Sequence, residues 1–189
     1  MISIGVNYSG AHDSAAALAI DGKVVFAIAE ERLTRIKQDA SFPIQAIKAC
    51  LEYGKLDAEE VDHFVVSWPP LHKYYGFNIR TLLMSKGKGS LLENVIMYLR
   101  SRTTRRTAKQ FEKHGLCKEK KVEHLDHHFA HALSVLPYLK QQKSLIFVLD
   151  GRGASESTSV YLRNDREMKL IHRVNSPNSL GNFYAEVTG

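Results

Sequence analysis

Two stretches of this chain, which begin about 140 residues apart, repeat one order of apolar runs and turns. In the first stretch, residues 2–8, 14–20 and 23–30 are apolar runs, and Asp21-Gly22 separates the second run from the third. Asp-Gly between apolar runs is a strong signal for a tight β-hairpin. The pattern therefore predicts a meander of three antiparallel strands.

The second stretch predicts the same three strands. Residues 144–150 form an apolar run that ends in a glycine-containing turn, and residues 157–162 and 168–174 follow it on either side of an Asn164-Asp165 turn. The identity between the two stretches is low, so the shared order of elements carries the comparison. Between them, helix and strand patterns alternate. The predicted elements are a helix over 43–54, strands over 61–68 and 121–125, a helix over 91–113 and a helix that carries His127 and His131 and ends near Pro137.

A repeated unit of three antiparallel strands followed by βα elements predicts an α/β fold with two lobes, like actin, hexokinase and the heat-shock ATPases (ribonuclease-H-like). We expect the first lobe over residues 1–143 and the start of a second lobe over 144–189, which would continue beyond Gly189. In that fold the first hairpin turn of each lobe faces the phosphates of a nucleotide. Trp68 and Tyr138 are assigned to the core.

Composition narrows the class of protein. The chain of 189 residues is 44% hydrophobic and 24% charged, within the ordinary globular range. It has neither the 18-residue apolar run of a membrane span nor a signal-peptide pattern at its start. Cys50 and Cys117 form no CxxC pair, which favours reduced thiols in a cytoplasmic protein.

The positive charge is concentrated in one segment. Residues 100–121 contain nine Lys or Arg and two Glu, a surplus of seven, whereas the net charge of the whole chain is +6. Apart from Phe111, the segment lacks the aromatic residues that stack on nucleic-acid bases. We therefore favour a solvated helix face and consider nucleic acid an unlikely partner.

His127 and His131 are four residues apart in a predicted helix, so their side chains share one face. Two imidazoles at this spacing can reach one metal ion. A structural pair of histidines remains the alternative, because HxxxH alone is a weak pattern and a third ligand is needed.

The two meander turns are candidate phosphate sites. Ser9-Gly10 and Asp150-Gly151-Arg152-Gly153 offer small residues whose backbone N–H groups can approach a phosphate, although either alone could be an ordinary tight turn. His12 follows the first turn and could serve as a general base near neutral pH. Lys37 closes a charged run, 30–37, which is either a solvated strand end or an anion-binding segment.

These residues resemble a known family, the carbamoyltransferases that act on nodulation factors and antibiotics. The resemblance is colinear over most of residues 2–188 and weakest over 70–120. It is carried by the motifs at 5–18, 21–22, 30–35, 127–132, 150–153 and 177–184. The family usually has an acidic residue after the last glycine of the second turn, where this chain has Ala154, and Glu156 is the candidate substitute.

The resemblance implies a core shared with the threonylcarbamoyl-adenosine synthesis proteins and transfer of a carbamoyl group to a hydroxyl of a sugar or similar acceptor. The donor would be carbamoyl-adenylate, made from carbamoyl phosphate and ATP in a separate C-terminal domain. By the same resemblance, His127 and His131 would ligate iron or zinc with a third carboxylate beyond Gly189, and His12 would be the base. Asp150, Gly151 and Gly153 would line the adenylate phosphate, Lys37 would contact an anion, and this chain alone would be inactive.

Two other functions remain open at this point. A threonylcarbamoyl-transfer protein acting on tRNA would share the fold and the HxxxH helix, and the basic segment would make its RNA binding sensitive to salt. A non-enzymatic nucleotide- or metal-binding module would use the turns and histidines structurally. His12-Asp13-Ser14 favours the small-molecule carbamoyltransferases.

Overall fold

The computed structural model divides the chain into two compact units, Met1–Leu125 and Asp126–Gly189. The residues that the structure describes are 1–10, 12–69, 107–117, 122–151, 153, 156–175 and 178–188. Residues 91–106 of the helix predicted over 91–113, and most of the basic segment over 100–121, lie outside these residues. The predicted lobe boundary at 143/144 stays a prediction.

The first unit is built on a sheet of five strands. The strands are β1 (Ile2–Asn7), β2 (Ala15–Ile20), β3 (Lys23–Ala29), β4 (His63–Val66) and β5 (Val122–His124), in the order β3-β2-β1-β4-β5. β1 pairs antiparallel with β2 and β2 with β3, whereas β4 pairs parallel with both β1 and β5. Asp21 and Gly22 both have positive φ, 50° and 78°, as a two-residue hairpin turn requires. The predicted meander is confirmed.

Helix α2 covers one face of this sheet. α1 spans Glu30–Thr34 and α2 spans Ile44–Gly54, directly after Pro43. The buried residues of α2 are Ala46, Ile47 and Cys50, which join the core formed by alternate residues of β1 and β2. Their spacing is that of one helical face, which explains why this helix could be predicted.

α1 corrects the expectation of a solvated strand end at residues 30–37. Glu30 begins the helix and is 1% exposed, and Arg35 ends it in the left-handed conformation. The buried Glu30 carboxylate accepts hydrogen bonds from the N–H groups of Gln45 and Ala46, in the first turn of α2. A charged residue is therefore buried here because it caps another helix.

A short helix, α3 (Thr107–Lys113), packs on the same core through Phe111. The ring of Phe111 makes edge contacts with Phe42 and Phe64, with centroids 5.1 Å apart in each case. Gly115, at φ 68°, follows the end of this helix, as the sequence predicts. Lys109 and Lys113 are exposed, in agreement with a solvated face for this part of the basic segment.

The second unit contains helix α4 (His127–Ser134), a sheet of β6 (Lys143–Leu149), β7 (Glu156–Asn164) and β8 (Glu167–Asn175), and helix α5 (Leu180–Thr188). The strands form an antiparallel meander in the order β6-β7-β8. Its core joins Ala132 of α4 to Ile146, Val148 and Tyr161. Tyr138 lies in a single 3-10 turn after α4 and is 83% exposed, so its assignment to the core was wrong, whereas Trp68 packs against the core of the first unit.

The predicted fold class is confirmed. Three antiparallel strands are followed by β4, which pairs parallel with β1, and by β5, which pairs parallel with β4. This is the strand order of the ribonuclease-H-like unit of actin, hexokinase and heat-shock ATPases. The second unit repeats the three-stranded meander. Among the described residues, no helix is long and apolar enough to cross a membrane.

Candidate functional site

Helix α4 places two histidines on one face of the second unit. Asp126 precedes the helix, and its Oδ1 accepts a hydrogen bond from the N–H of Phe129 at 3.0 Å, the usual N-cap arrangement. The cap fixes where the helix begins, so that His127 stands in the first turn and His131 one turn later.

The carboxylate of Asp150 lies beside this histidine pair. Asp150 follows β6, and one ligand atom from each of His127, His131 and Asp150 can be chosen so that all lie within 4.8 Å of one another. His127 Nε2 is 3.1 Å from His131 Nε2 and 3.3 Å from Asp150 Oδ2. His127 is largely buried and His131 is exposed, so the cluster is reachable from one side.

These separations fit a single bound ion. Two donors that lie about 2.1 Å from one metal, at roughly 90–110° to each other, are themselves about 3.0–3.4 Å apart. Both measured separations from His127 Nε2 are in that range. Two imidazoles and one carboxylate are a ligand set that suits iron(II) or zinc and leaves coordination positions for a substrate.

The surroundings favour the protonation states that a metal needs. The ring of His131 is reachable by solvent, but its inner side lies against the protein, and this partial desolvation lowers the pKa of the imidazole. His127 nearby lowers it further. A neutral imidazole is the form that binds a metal. Burial also lowers the pKa of His128, which is fully buried beneath the cluster.

The turn that carries Asp150 is tightly held. The N–H of Asp150 donates to the carbonyl of Ser157 at 2.9 Å, and the N–H of Gly153 donates to the carbonyl of Glu156 at 2.8 Å. Ser179, just before α5, donates its hydroxyl to the carbonyl of Asp150 at 2.9 Å. The backbone of the turn at Asp150 is therefore held by hydrogen bonds on both sides.

Gly153 is required by this packing. A Cβ at Gly153 would lie 2.5 Å from His128 Nε2 and 2.7 Å from the carbonyl oxygen of Glu156. Every other residue type has a Cβ that would clash here. Glycine at position 153 therefore allows the turn to pack closely against α4.

Glu156 does not replace the missing acidic residue at Ala154. Its side chain is 0% exposed and is directed into the unit, where Oε1 lies 4.0 Å from Arg173. Burial raises the pKa of the Asp126 carboxyl, and the adjacent Glu156 raises it further. The expectation that Glu156 would serve a ligand at the turn was therefore wrong.

The first turn belongs to the other unit and is organised by Asn7. The side-chain amide of Asn7 donates to the carbonyl of Asp13 at 2.8 Å, and its oxygen accepts from the Ser67 hydroxyl at 2.9 Å. His12 is exposed, and its Nδ1 lies 2.8 Å from Asp13 Oδ2. Gly10 has φ 71° and no atom within 4 Å of a hypothetical Cβ, so the space beside it is open.

Ser9 and Lys37 lie in the same unit. Ser9 directly precedes Gly10 in the turn, and Lys37 is an exposed residue of the loop after α1. That loop is tied to the first turn, because the N–H of Ser14 donates to the carbonyl of Asp39 at 2.9 Å.

The structure thus brings together part of the predicted site and adds to it. His127 and His131 converge as the sequence predicts. Asp150, assigned to the phosphate, joins the two histidines in a group of three that could hold a metal ion, whereas the third ligand was expected beyond Gly189. No local pattern in the sequence marked Asp150 as a ligand, because the packing of β6 on α4 brings it to the histidines. No signal in the sequence distinguished the buried His128 from its neighbours.

Comparison with known proteins identifies the family to which the chain is similar. Residues 3–189 match the family model described as the carbamoyltransferase N-terminus. A relative in Synechocystis, uncharacterized protein sll1178, is 33% identical over 184 residues, which are 94% of this chain and 30% of that protein. Nodulation protein NolNO of Sinorhizobium fredii is 27% identical over 175 residues, 93% of this chain and 25% of that protein.

Solved structures of similar shape include YeaZ from Pseudomonas aeruginosa, with a TM-score of 0.47 and 11% identity over 96% of this chain and 72% of that one. A Ppx/GppA family member from Aquifex aeolicus has a TM-score of 0.44 and 13% identity over 100% of this chain and 54% of that one.

The chain belongs to the carbamoyltransferase N-terminus family. It spans between a quarter and a third of the length of the two curated relatives.

Proposed function

We propose that this chain is part of an O-carbamoyltransferase. The enzyme would move a carbamoyl group from carbamoyl-adenylate, formed from carbamoyl phosphate and ATP, to a hydroxyl of a sugar-like or natural-product acceptor. The observation that carries the proposal is the family match over residues 3–189. The convergence of two histidines and an aspartate at the expected helix supports it.

The proposed reaction exchanges one acyl bond for another. The acceptor oxygen forms a bond to the carbamoyl carbon, the bond from that carbon to the phosphate oxygen breaks, and AMP leaves with the electron pair. A hydroxyl is a poor nucleophile until its proton is removed. His12, exposed beside an open turn and paired with Asp13, is the candidate base that takes this proton.

His127, His131 and Asp150 would hold an iron or zinc ion. Bound there, a divalent cation supplies positive charge that polarises a carbonyl or phosphate oxygen. In this proposal Asp150 is a ligand of the metal as well as a member of the phosphate turn. The lowered pKa of His131 favours the neutral imidazole that binds a metal, and hydrogen bonds hold the backbone of the turn that carries Asp150.

The other predicted residues would bind the anionic parts of the substrates. Ser9 and Gly10 in the first turn, and Gly151 and Gly153 in the second, offer backbone close to a phosphate. Lys37 would contact an anion from the loop tied to the first turn. A C-terminal domain of the same protein would make carbamoyl-adenylate, the reaction would take place in the cytoplasm, and the chain of 189 residues alone would be inactive.

The proposal is tested by carbamoyl transfer. A longer protein that contains this chain is incubated with ATP, radiolabelled carbamoyl phosphate and a panel of hydroxyl acceptors, and labelled acceptor is separated from free label. Transfer to at least one acceptor is expected, with a loss of about 100-fold or more in His12→Gln. His172→Gln, a change of an exposed histidine on β8, is the matched control and should retain activity.

Failure of that protein to form carbamoyl-adenylate or to label any acceptor would contradict the proposal. Salt-sensitive binding of tRNA together with threonylcarbamoyl transfer would replace it with the alternative reaction.

A further inference from the structure

We propose that His128 is a positioning residue, which holds the Asp150 carboxylate toward the histidine pair through its Nε2–H while Ser159 determines which ring nitrogen carries the proton. The inference rests on the proposed metal site. It concerns a residue that touches neither substrate nor metal.

His128 lies on α4 and contacts β7 and the turn that follows β6, all within the second unit. The residue is 0% exposed, and its Nδ1 lies 2.8 Å from the hydroxyl oxygen of Ser159 on β7. Its Nε2 has no hydrogen-bond partner among the described residues and lies 3.9 Å from Asp150 Oδ2. A buried ring nitrogen without a partner is costly, and this one faces a carboxylate.

The Asp150 carboxylate favours one of the two tautomers of the neutral His128 ring. If Nδ1 carried the proton, the lone pair of Nε2 would face the negative oxygen of Asp150 in a buried place, which is repulsive. If Ser159 donates its hydroxyl to Nδ1, Nε2 carries the proton and points a positive edge toward that oxygen. A shift of about 1 Å in either group would bring the N–H and the oxygen to hydrogen-bond distance.

The ring has little freedom to turn away. Gly153 packs against it so closely that a Cβ there would lie 2.5 Å from Nε2 and 2.8 Å from Cδ2. The hydrogen bond to Ser159 fixes the opposite side of the ring. His128 is thus clamped between β7 and the turn that follows β6.

This clamp acts on the oxygen that faces the metal site. Asp150 Oδ2 lies 3.3 Å from His127 Nε2 and 3.9 Å from His128 Nε2. If residue 128 has no N–H donor, Asp150 Oδ2 loses the group that orients it toward the histidine pair. Loss of such an outer contact typically weakens metal binding roughly 10- to 100-fold.

Two measurements test the inference. The first is the dissociation constant for Zn²⁺ of the 189-residue chain, obtained by competition with a chromophoric chelator, in the native protein, His128→Phe, Ser159→Ala and the control His172→Phe. We expect weaker binding by roughly 10- to 100-fold in His128→Phe, a smaller loss in Ser159→Ala and none in the control. Urea unfolding of each variant identifies any that fail to fold.

The second measurement needs neither metal nor a variant. Long-range ¹H–¹⁵N correlation spectra of the metal-free protein report which nitrogen of His128 is protonated, and we expect Nε2. Protonation at Nδ1, or native Zn²⁺ affinity in a folded His128→Phe, would overturn the positioning role. Absence of Zn²⁺ binding by the native chain would instead overturn the metal site itself, and the positioning role with it.

Discussion

Glu30 is a buried carboxylate whose role lies in another element. Its two oxygens accept from Gln45 at 3.1 Å and from Ala46 at 2.7 Å, so it satisfies two N–H groups that the first turn of α2 leaves unpaired. The negative charge also interacts favourably with the helix N-terminus. The motif at 30–35 therefore contains a structural residue at its first position.

Replacing Glu30 by Ala should lower the free energy of unfolding by about 2–3 kcal/mol, because two N–H groups lose their acceptor inside the protein. Glu30→Gln should lose less, since one side-chain oxygen can still accept. Urea unfolding followed by circular dichroism measures both. Glu52→Gln, on an exposed position of the same helix, should stay within about 0.5 kcal/mol of the native protein, and an equal loss there would contradict the account.

Asp39 should make stability depend on pH in the acid range. Hydrogen bonds from Ser41 and then Thr34 lower the pKa of its carboxyl below the usual value. A lowered pKa in the folded state gives stability that is fully present above the unfolded value of about 3.9 and is lost as pH falls through the folded pKa. Asp39→Asn should therefore flatten the loss of stability below about pH 4, measured by urea unfolding across that range. Identical pH profiles in both proteins would disagree with this role.

At the scale of elements, α5 depends on close contact with the turn at Asp150. The hydroxyl of Ser179 accepts from the N–H of Asn182 at 3.0 Å and donates to the carbonyl of Asp150. A Cβ at Gly181 would lie 2.6 Å from the nitrogen of Gly151. The backbone of α5 packs directly against the backbone of the turn, so a shift in one of them requires a shift in the other.

Gly181→Ala should therefore lower the free energy of unfolding by about 1–3 kcal/mol, which is the usual cost of adding a side-chain carbon to a closely packed site. It should also weaken metal binding, because the turn that carries Asp150 must shift. Gly5→Ala is the matched control, since the nearest atom to a Cβ there is 4.0 Å away. Thermal unfolding of the two variants side by side is the measurement. Equal stability of both would refute the close contact.

The elements that were predicted are those with local signals. Asp21-Gly22 specifies its hairpin by turn chemistry alone, and the apolar spacing of α2 specifies which face is buried. α1 was missed because its charges look like those of a solvated segment, and Glu30 is explained only by its contact with α2. α5 was missed although Leu180, Phe183, Tyr184 and Val187 have helical spacing. That spacing was the available signal.

The candidate site was predictable only in part for the same reason. His127 and His131 belong to one helix, and their proximity follows from helix geometry. Asp150 is brought to them by the packing of β6 on α4, which no local pattern encodes. The burial of His128 likewise depends on β7 and on the absence of a side chain at Gly153.

At the scale of the whole molecule, the second unit exposes an unusual amount of apolar side chain. Leu145, Phe147 and Leu149 alternate along β6, an edge strand, and are 55%, 62% and 57% exposed. An exposed apolar edge strand favours association.

The chain of 189 residues should therefore bind the dye ANS and self-associate as its concentration rises. Phe147→Lys should reduce both, with little change in unfolding free energy, because the side chain is already exposed. Val24→Lys changes an exposed residue of β3 in the first unit and is the control. Dye fluorescence and light scattering after gel filtration measure the effects, and equal behaviour of the two variants would argue against this surface.

A metal ion held by His127, His131 and Asp150 is the central feature of the proposed site. The measurement is elemental analysis of the purified native chain beside His131→Ala, Asp150→Asn and the control His172→Ala. Near-stoichiometric iron or zinc in the native chain and the control, lost from both site variants, is the predicted result. Native metal content in Asp150→Asn would show that the third ligand lies elsewhere, and absence of metal from the native chain would contradict the site.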